Sequence, residues 1–276
     1  MGLCKYCGKP AGFLRSKHKE CEQKYFAGVE KIKLLINSSL SNNENLQNIN
    51  KKIKQIASES FISEQEFNQL KKEGWELATN SAFEDGVLTE DEENRLIDMI
   101  DAFGFDKSQI NAEPTYKKIV QGDIIREVLE GKIPQKISVK MDLPFNFYKN
   151  EKLVWVFLDV EYYEMRTKRE HVGGYQGVGI RIAKGVYYRT GGFRGRVVET
   201  TETEHIDNGI MAVTDKYIYF SGSKKSFRIK YEKIVSFTPY SDGIGIQRDA
   251  QTAKPQIFVT NEGWFTNNLI QNLAKL

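Results

Sequence analysis

Ser226-Phe227-Arg228-Ile229-Lys230-Tyr231 decides how the larger part of this chain folds. Phe227, Ile229 and Tyr231 alternate strictly with polar neighbours, the period of a strand with one dry face and one wet face. Tyr217 to Phe220 reads as a second strand, and Ser221-Gly222-Ser223-Lys224 between them reads as a hairpin connection whose glycine supplies a positive φ. Further out, Ile137, Val139, Met141 and Leu143 alternate as a strand, and Leu153 to Val160 is apolar nearly throughout, as a strand buried on both faces would be. Ile257 and Val259 mark a last strand. Beyond them Phe265, Leu269, Leu273 and Leu276 form one apolar helical stripe, with Thr260 or Asn261 placed to cap it. The expectation is an antiparallel, locally connected sheet plugged by a terminal helix.

Residues 173 to 195 include eight glycines. Gly173-Gly174-x-x-Gly177-x-Gly179 superficially resembles a phosphate loop, but Val178, Ile180 and Ile182 continue as a strand and no helix opens there to hold a phosphate. The glycines read instead as places for turns, bulges and close strand crossing in a small barrel.

The N-terminus carries different chemistry. Cys4-x-x-Cys7 is followed, after ten intervening residues, by His18-x-x-Cys21, and these are all the cysteines of the chain. Two pairs of soft or borderline ligands, each spaced by two, can close a tetrahedron around Zn²⁺. An odd number of cysteines confined to 21 residues fits a metal better than disulfides. Gly8 lets the chain turn its N–H groups toward the thiolates. The second pair opens a helix through Tyr25, Val29, Ile32 and Ile36, so the segment resembles a small treble-clef or ribbon finger. Four protein ligands leave no open position, which makes the expected Zn²⁺ structural and not catalytic.

Residues 37 to 48 read as a polar linker leading into an amphipathic helix with Leu46, Ile49, Ile53 and Ile56 on one stripe. From residue 58 the writing is helical. Ser63 with Glu66 and Thr89 with Glu92 are capping boxes. Phe67, Leu70, Gly74 and Leu77 line one helix, and Leu96, Ile100 and Phe103 the next. Asp85, Asp91 and Glu92 flank a glycine without the spacing of a calcium loop, and read as solvated groups at a helix N-terminus. Ile124, Ile125, Val128 and Leu129 are the apolar face of a further helix that Gly131 stops and Pro134 follows.

The net charge of +3 is unevenly spread: residues 1–57 carry +7 and residues 58–106 carry −11. Such alternation marks separate modules and argues against one continuous nucleic-acid-binding face. With no long apolar span and no charged-then-apolar leader, a cytoplasmic protein is expected. His171 and His205 fall in expected loops with no serine or cysteine partner, so no catalytic constellation is visible.

Gly209-Ile210-Met211-Ala212-Val213-Thr214-Asp215-Lys216-Tyr217-Ile218-Tyr219-Phe220 and the opening Lys149-Asn150-Glu151-Lys152-Leu153-Val154-Trp155 resemble the bacterial pleckstrin-homology-like and GRAM-like domains. Phe83-Glu84-Asp85-Gly86 and the glutamate-rich helix start after it resemble the tellurite-resistance-B-like helical family. Together these imply an α+β multi-module protein of bacterial or phage type. Residues 1–36 would be a zinc finger with its helix, 37–57 a linker and amphipathic helix, and 58–135 an acidic helical module. Residues 136–276 would be a pleckstrin-like β-barrel capped by its terminal helix. The resemblance further implies no catalysis, and a protein partner or a membrane surface as ligand. Arg166, Lys168, Arg169 and His171 are the nearest basic cluster in that domain, where a solvated loop is expected and an anion-binding loop is the alternative. The alternative is a nucleic-acid-binding regulator that uses Lys5, Lys9, Arg15, Lys17, Lys19 and Lys24 of the finger.

Overall fold

A computed structural model describes residues 2–42, 44–111, 113–183, 186–250 and 253–276, of which 167–201 are described by backbone alone. The chain is α+β and divides into two compact units, Met1–Lys132 and Ile133–Leu276.

In the first unit a small hairpin, β1 (Gly2–Leu3) and β2 (Pro10–Gly12), precedes α1 (Lys19–Ser38), α2 (Leu46–Glu59), α3 (Glu64–Ala82), α4 (Glu90–Ala102), α5 (Lys107–Ile110) and α6 (Pro114–Leu129). Their starts follow from local chemistry. Asn45 accepts the Gln47 and Asn48 N–H groups at the head of α2, and both capping boxes form, Ser63 with Glu66 and Thr89 with Glu92. Ile32 and Ile36 of α1, Ile49 and Ile53 of α2, Trp75, Leu96 and Ile119 belong to one continuous apolar core. The stripe of α3 differs from the sequence expectation, because Leu77 is exposed while Trp75 is fully buried and donates from Nε1 to the Leu96 carbonyl at 3.0 Å. Arg95 fastens the stretch after α1, donating to the carbonyls of Ser39, Asn42 and Glu44.

The second unit begins without a ladder. Residues 133–152 lie outside the sheet, so the alternation of Ile137, Val139, Met141 and Leu143 is not a strand. Such a period also serves an extended segment that rests side chains on a sheet without pairing to it. Phe145 and Phe147 do this, with ring centroids 5.5 and 5.2 Å from Tyr219. Next come β3 (Leu153–Ala183), β4 (Val186–Thr214), β5 (Tyr217–Gly222), β6 (Ser226–Lys230), β7 (Ile234–Pro239), β8 (Gly243–Arg248), β9 (Gln256–Val259) and α7 (Gly263–Leu273). They make one antiparallel sheet in the order β6-β5-β4-β3-β9-β8-β7.

That sheet is not closed, which corrects the barrel expectation. Its ends are β6 and β7, and α7 packs its apolar side chains against the unit's buried residues. Phe265 packs 4.9 Å from Trp155 and 5.9 Å from Phe157, and Asn267 Nδ2 donates to the carbonyls of Tyr240 and Gly243. Leu269, Ile270 and Leu273 are buried with Phe265, whereas Leu276 lies past the helix and is exposed. The N-cap of α7 is Glu262, not Thr260 or Asn261; Thr260 Oγ1 accepts the Glu262 N–H at 3.2 Å. Leu158 is exposed as well, because Asp159 takes φ +55° where the register shifts between Phe157 and Val160, a bulge that turns one apolar residue outward. Across the glycine-rich stretch the β3 and β4 backbones pair continuously from Tyr163 to Arg181, so it is ladder and not barrel crossing. The side chains of Lys168, Arg169 and His171 lie outside the described residues. His171 and His205 both stand on strands and not in loops.

The β5–β6 hairpin is organised by a residue far away in sequence. Asp207 is buried on β4, and its carboxylate accepts the N–H groups of Lys224 (2.5 Å) and Lys225 (2.8 Å) and the Ser223 hydroxyl (3.0 Å). Gly222 is absent from the positive-φ positions of the described chain and is required for close approach: a Cβ there would stand 2.5 Å from Asp207 Oδ2. Burial opposes the Asp207 charge, but the N–H groups of Lys224 and Lys225, the Ser223 hydroxyl and the Asn208 N–H outweigh it and hold the carboxyl at about 2. A depressed carboxyl contributes stability that is complete above its ordinary value of 3.8 and fades as pH falls toward about 2. Asp207→Asn should therefore lower stability at neutral pH and flatten the acid loss within that window, measured by urea unfolding at stepped pH. Parallel acid profiles for the two proteins would contradict this.

Candidate metal centre

The finger is built from a turn, a hairpin and a helix start. Cys4 N–H donates to the Lys9 carbonyl at 2.8 Å and Gly8 N–H to the Cys4 carbonyl at 2.9 Å, closing a tight turn that carries Cys4 and Cys7. Gly8 takes φ +69° there, the left-handed conformation that glycine reaches without penalty. His18 is the N-cap of α1 in extended conformation, and Cys21 lies in the first helical turn, so the helix start delivers the second pair.

The structure brings together all four residues singled out by spacing. The ligand atoms of Cys4, Cys7, His18 and Cys21 lie within 4.8 Å of one another, and all three thiols are free. His18 Nδ1 is 3.4 Å from Cys7 Sγ and 3.7 Å from Cys21 Sγ. A tetrahedral ion with bonds of about 2.3 Å to sulfur and about 2.0 Å to nitrogen places its ligands roughly 3.5 to 3.8 Å apart, so the separations fit one metal. His18 Nε2 lies 3.0 Å from the Pro10 carbonyl, which only accepts; Nε2 is thus a donor, which leaves the Nδ1 lone pair for a cation held among the sulfurs. The His18 backbone N–H also donates to Cys4 Sγ at 3.3 Å.

The electrostatics of the cluster favour a cation. At Cys4 burial works against the thiolate, yet hydrogen bonds from the backbone of Cys7, His18 and Tyr6 and from the Cys7 side chain hold it at about 6. At Cys21 burial, the Cys7 sulfur and then Cys4 all oppose ionisation and push the thiol up to about 11. Sulfurs this close repel when ionised together, and a bound divalent cation removes that repulsion.

Other candidates do not converge. Asp85 Oδ1 accepts the Val87 N–H and Glu92 closes the α4 cap, which places both in turn and cap chemistry. Arg166 pairs with Glu204 at 2.8 Å. His205 Nε2 lies 2.6 Å from Asn208 Oδ1, and its ring meets Tyr163 edge-on. The six basic residues of the finger are exposed, with Lys17 paired to Glu22. Sequence reasoning missed the Pro10 carbonyl, a backbone group that side-chain patterns do not reveal. It also passed over Phe13 and Leu14, although two large apolar residues between ligand pairs were a visible signal. Compared with known proteins, the chain matches no family model and no curated sequence. Among the described residues no helix is long and apolar enough to cross a membrane.

Proposed function

We propose that the chain is a non-enzymatic interaction protein. Zn²⁺ holds the finger as a structural element, and the β unit is a pleckstrin-like scaffold, open and helix-capped, that binds a protein partner or a membrane surface. Zinc is the ion best suited to three sulfurs and one imidazole nitrogen in a closed tetrahedral set, and such a set leaves no position for a substrate. The observation that carries the scaffold reading is the sheet with two terminal strands. Among the described residues β6 and β7 each pair on one side alone, and Val235 on β7 is 66% exposed. An edge of this kind offers unpaired N–H and C=O groups to an added strand, and side-chain contacts beside it select the partner. Seven antiparallel strands followed by one terminal helix also support the pleckstrin-like resemblance.

Elemental analysis should find about one zinc per chain, and a Cys4→Ser, Cys7→Ser double variant should lose it. Full zinc occupancy in that double variant would contradict the assignment.

The exposed basic residues of the finger favour a second reading, a nucleic-acid-binding regulator. Affinity capture from native lysate with and without nuclease separates the two. The interaction reading expects a protein partner that survives nuclease, and duplex DNA binding that is weak and falls with salt at a slope of roughly −0.9 per phosphate contacted. Capture abolished by nuclease, together with tight DNA binding at physiological salt that Arg15→Glu, Lys17→Glu removes, would establish the regulator instead.

A further inference from the structure

We propose that the tip of the finger, Phe13-Leu14, is an insertion wedge that docks the chain on an anionic lipid bilayer. Phe13 is 84% exposed and Leu14 90%, beyond any other large apolar side chain among the described residues. Leu14 stands at φ +57°, a left-handed conformation that residues other than glycine rarely adopt. The tip is held from both sides. Before it, β2 pairs with β1; after it, the Lys5 N–H donates to the Ser16 carbonyl at 2.9 Å, and the Arg15 carbonyl packs against Gly2, where a Cβ would stand 2.7 Å away. Two large apolar side chains are thus fixed outward on a rigid turn, together with Leu3, which is 64% exposed.

The surroundings identify the medium that takes them. Residues 1–24 carry six basic side chains against Glu20 and Glu22, and Glu22 is already paired with Lys17. Arg15 follows the wedge directly and Lys9 stands four residues before it, and both are exposed, as is Lys5. Apolar side chains set among cations are the chemistry of an acidic bilayer interface, where the apolar groups enter the acyl boundary and the cations meet phosphate and carboxylate headgroups. Nucleic acid would reward the cations but not Leu14, which neither stacks on a base nor hydrogen-bonds to one. Because the β unit is itself proposed to bind a protein or a membrane surface, the substitutions at Phe13, Leu14 and Arg15, and not sedimentation of the unaltered chain alone, assign vesicle binding to the finger.

The experiment is co-sedimentation of the 276-residue, zinc-loaded chain with vesicles of phosphatidylcholine alone or phosphatidylcholine with phosphatidylserine. The proposal expects binding to the phosphatidylserine vesicles that weakens with added salt, and weak binding to phosphatidylcholine alone. Phe13→Ser, Leu14→Ser should cut partitioning about tenfold or more. Arg15→Glu should cut it by at least the roughly fivefold expected for each cation lost from the surface. Both variants should keep their metal, because the substituted side chains are exposed. Phe13→Trp adds a readout that does not depend on a loss: its emission, taken as the difference from the unaltered chain with its Trp75, Trp155 and Trp264, should shift to the blue when phosphatidylserine vesicles are added. Failure of the unaltered chain to sediment, unchanged partitioning of the serine double variant, or an unshifted tryptophan would each overturn the proposal. Equal binding of the unaltered chain and the double variant to duplex DNA, without vesicle binding, would assign the surface to nucleic acid.

Discussion

The N-terminal unit depends on one helix anchored at both ends by different chemistry. The first turn of α1 carries Cys21 and its N-cap is His18, so this end is fixed by a cluster of sulfurs and an imidazole nitrogen. Its last turns bury Ile32 and Ile36 in the core shared with Trp75 and Leu96. A segment of fewer than twenty residues before the helix has too little apolar surface to fold by burial alone, and a metal is the usual substitute. Tyr25 and Lys33 extend the attachment along α1, the first donating to Glu66 of a capping box and the second pairing with Glu73. The finger's geometry is thereby passed directly into the helical core.

The β unit meets the same problem of holding turns by other means. Buried or half-buried polar side chains do the work there. Thr214 Oγ1 accepts the N–H groups of Lys216 and Tyr217 at the β4–β5 turn, and Asp215 accepts the N–H of Lys152, the residue just before β3. Glu151 accepts the Tyr219 hydroxyl and the Tyr148 N–H. The Thr-Asp phrase that drew attention in the sequence is therefore, in this structure, a device for joining the start of the first long strand to the end of the second. An aromatic group of Tyr162, Phe220, Phe227 and Phe258 fills the space between strands, with Tyr162 ring centroids 5.1 to 5.3 Å from the other three.

What was legible in the sequence was local. Ligand spacing, two capping boxes and strand alternation at Phe227 and Ile229 each depend on residues within a few positions of one another, and each reappears in the structure. The misreadings involve partners far along the chain. Whether Ile137 to Leu143 pairs as a strand depends on a neighbour no local pattern names. Trp75 rather than Leu77 is buried because the face of α3 is set by other helices, by α1, whose Ile36 abuts Gly74, and by α4, whose Leu96 carbonyl takes the indole N–H. Gly222 looked like a turn glycine, yet its constraint comes from Asp207, fifteen residues earlier. Closure of the sheet was invisible for the same reason: the hydrophobic period of a strand is identical at an edge and in a barrel.

Whether Cys4, Cys7, His18 and Cys21 together hold one structural metal can be read from the absorption spectrum of the cobalt-substituted chain. A site made by all four residues gives intense visible bands of a tetrahedral ion with sulfur-to-metal charge transfer, changed by Cys21→Ser and by His18→Ala alike. Weak bands typical of an octahedral ion, or a spectrum indifferent to His18, would contradict it.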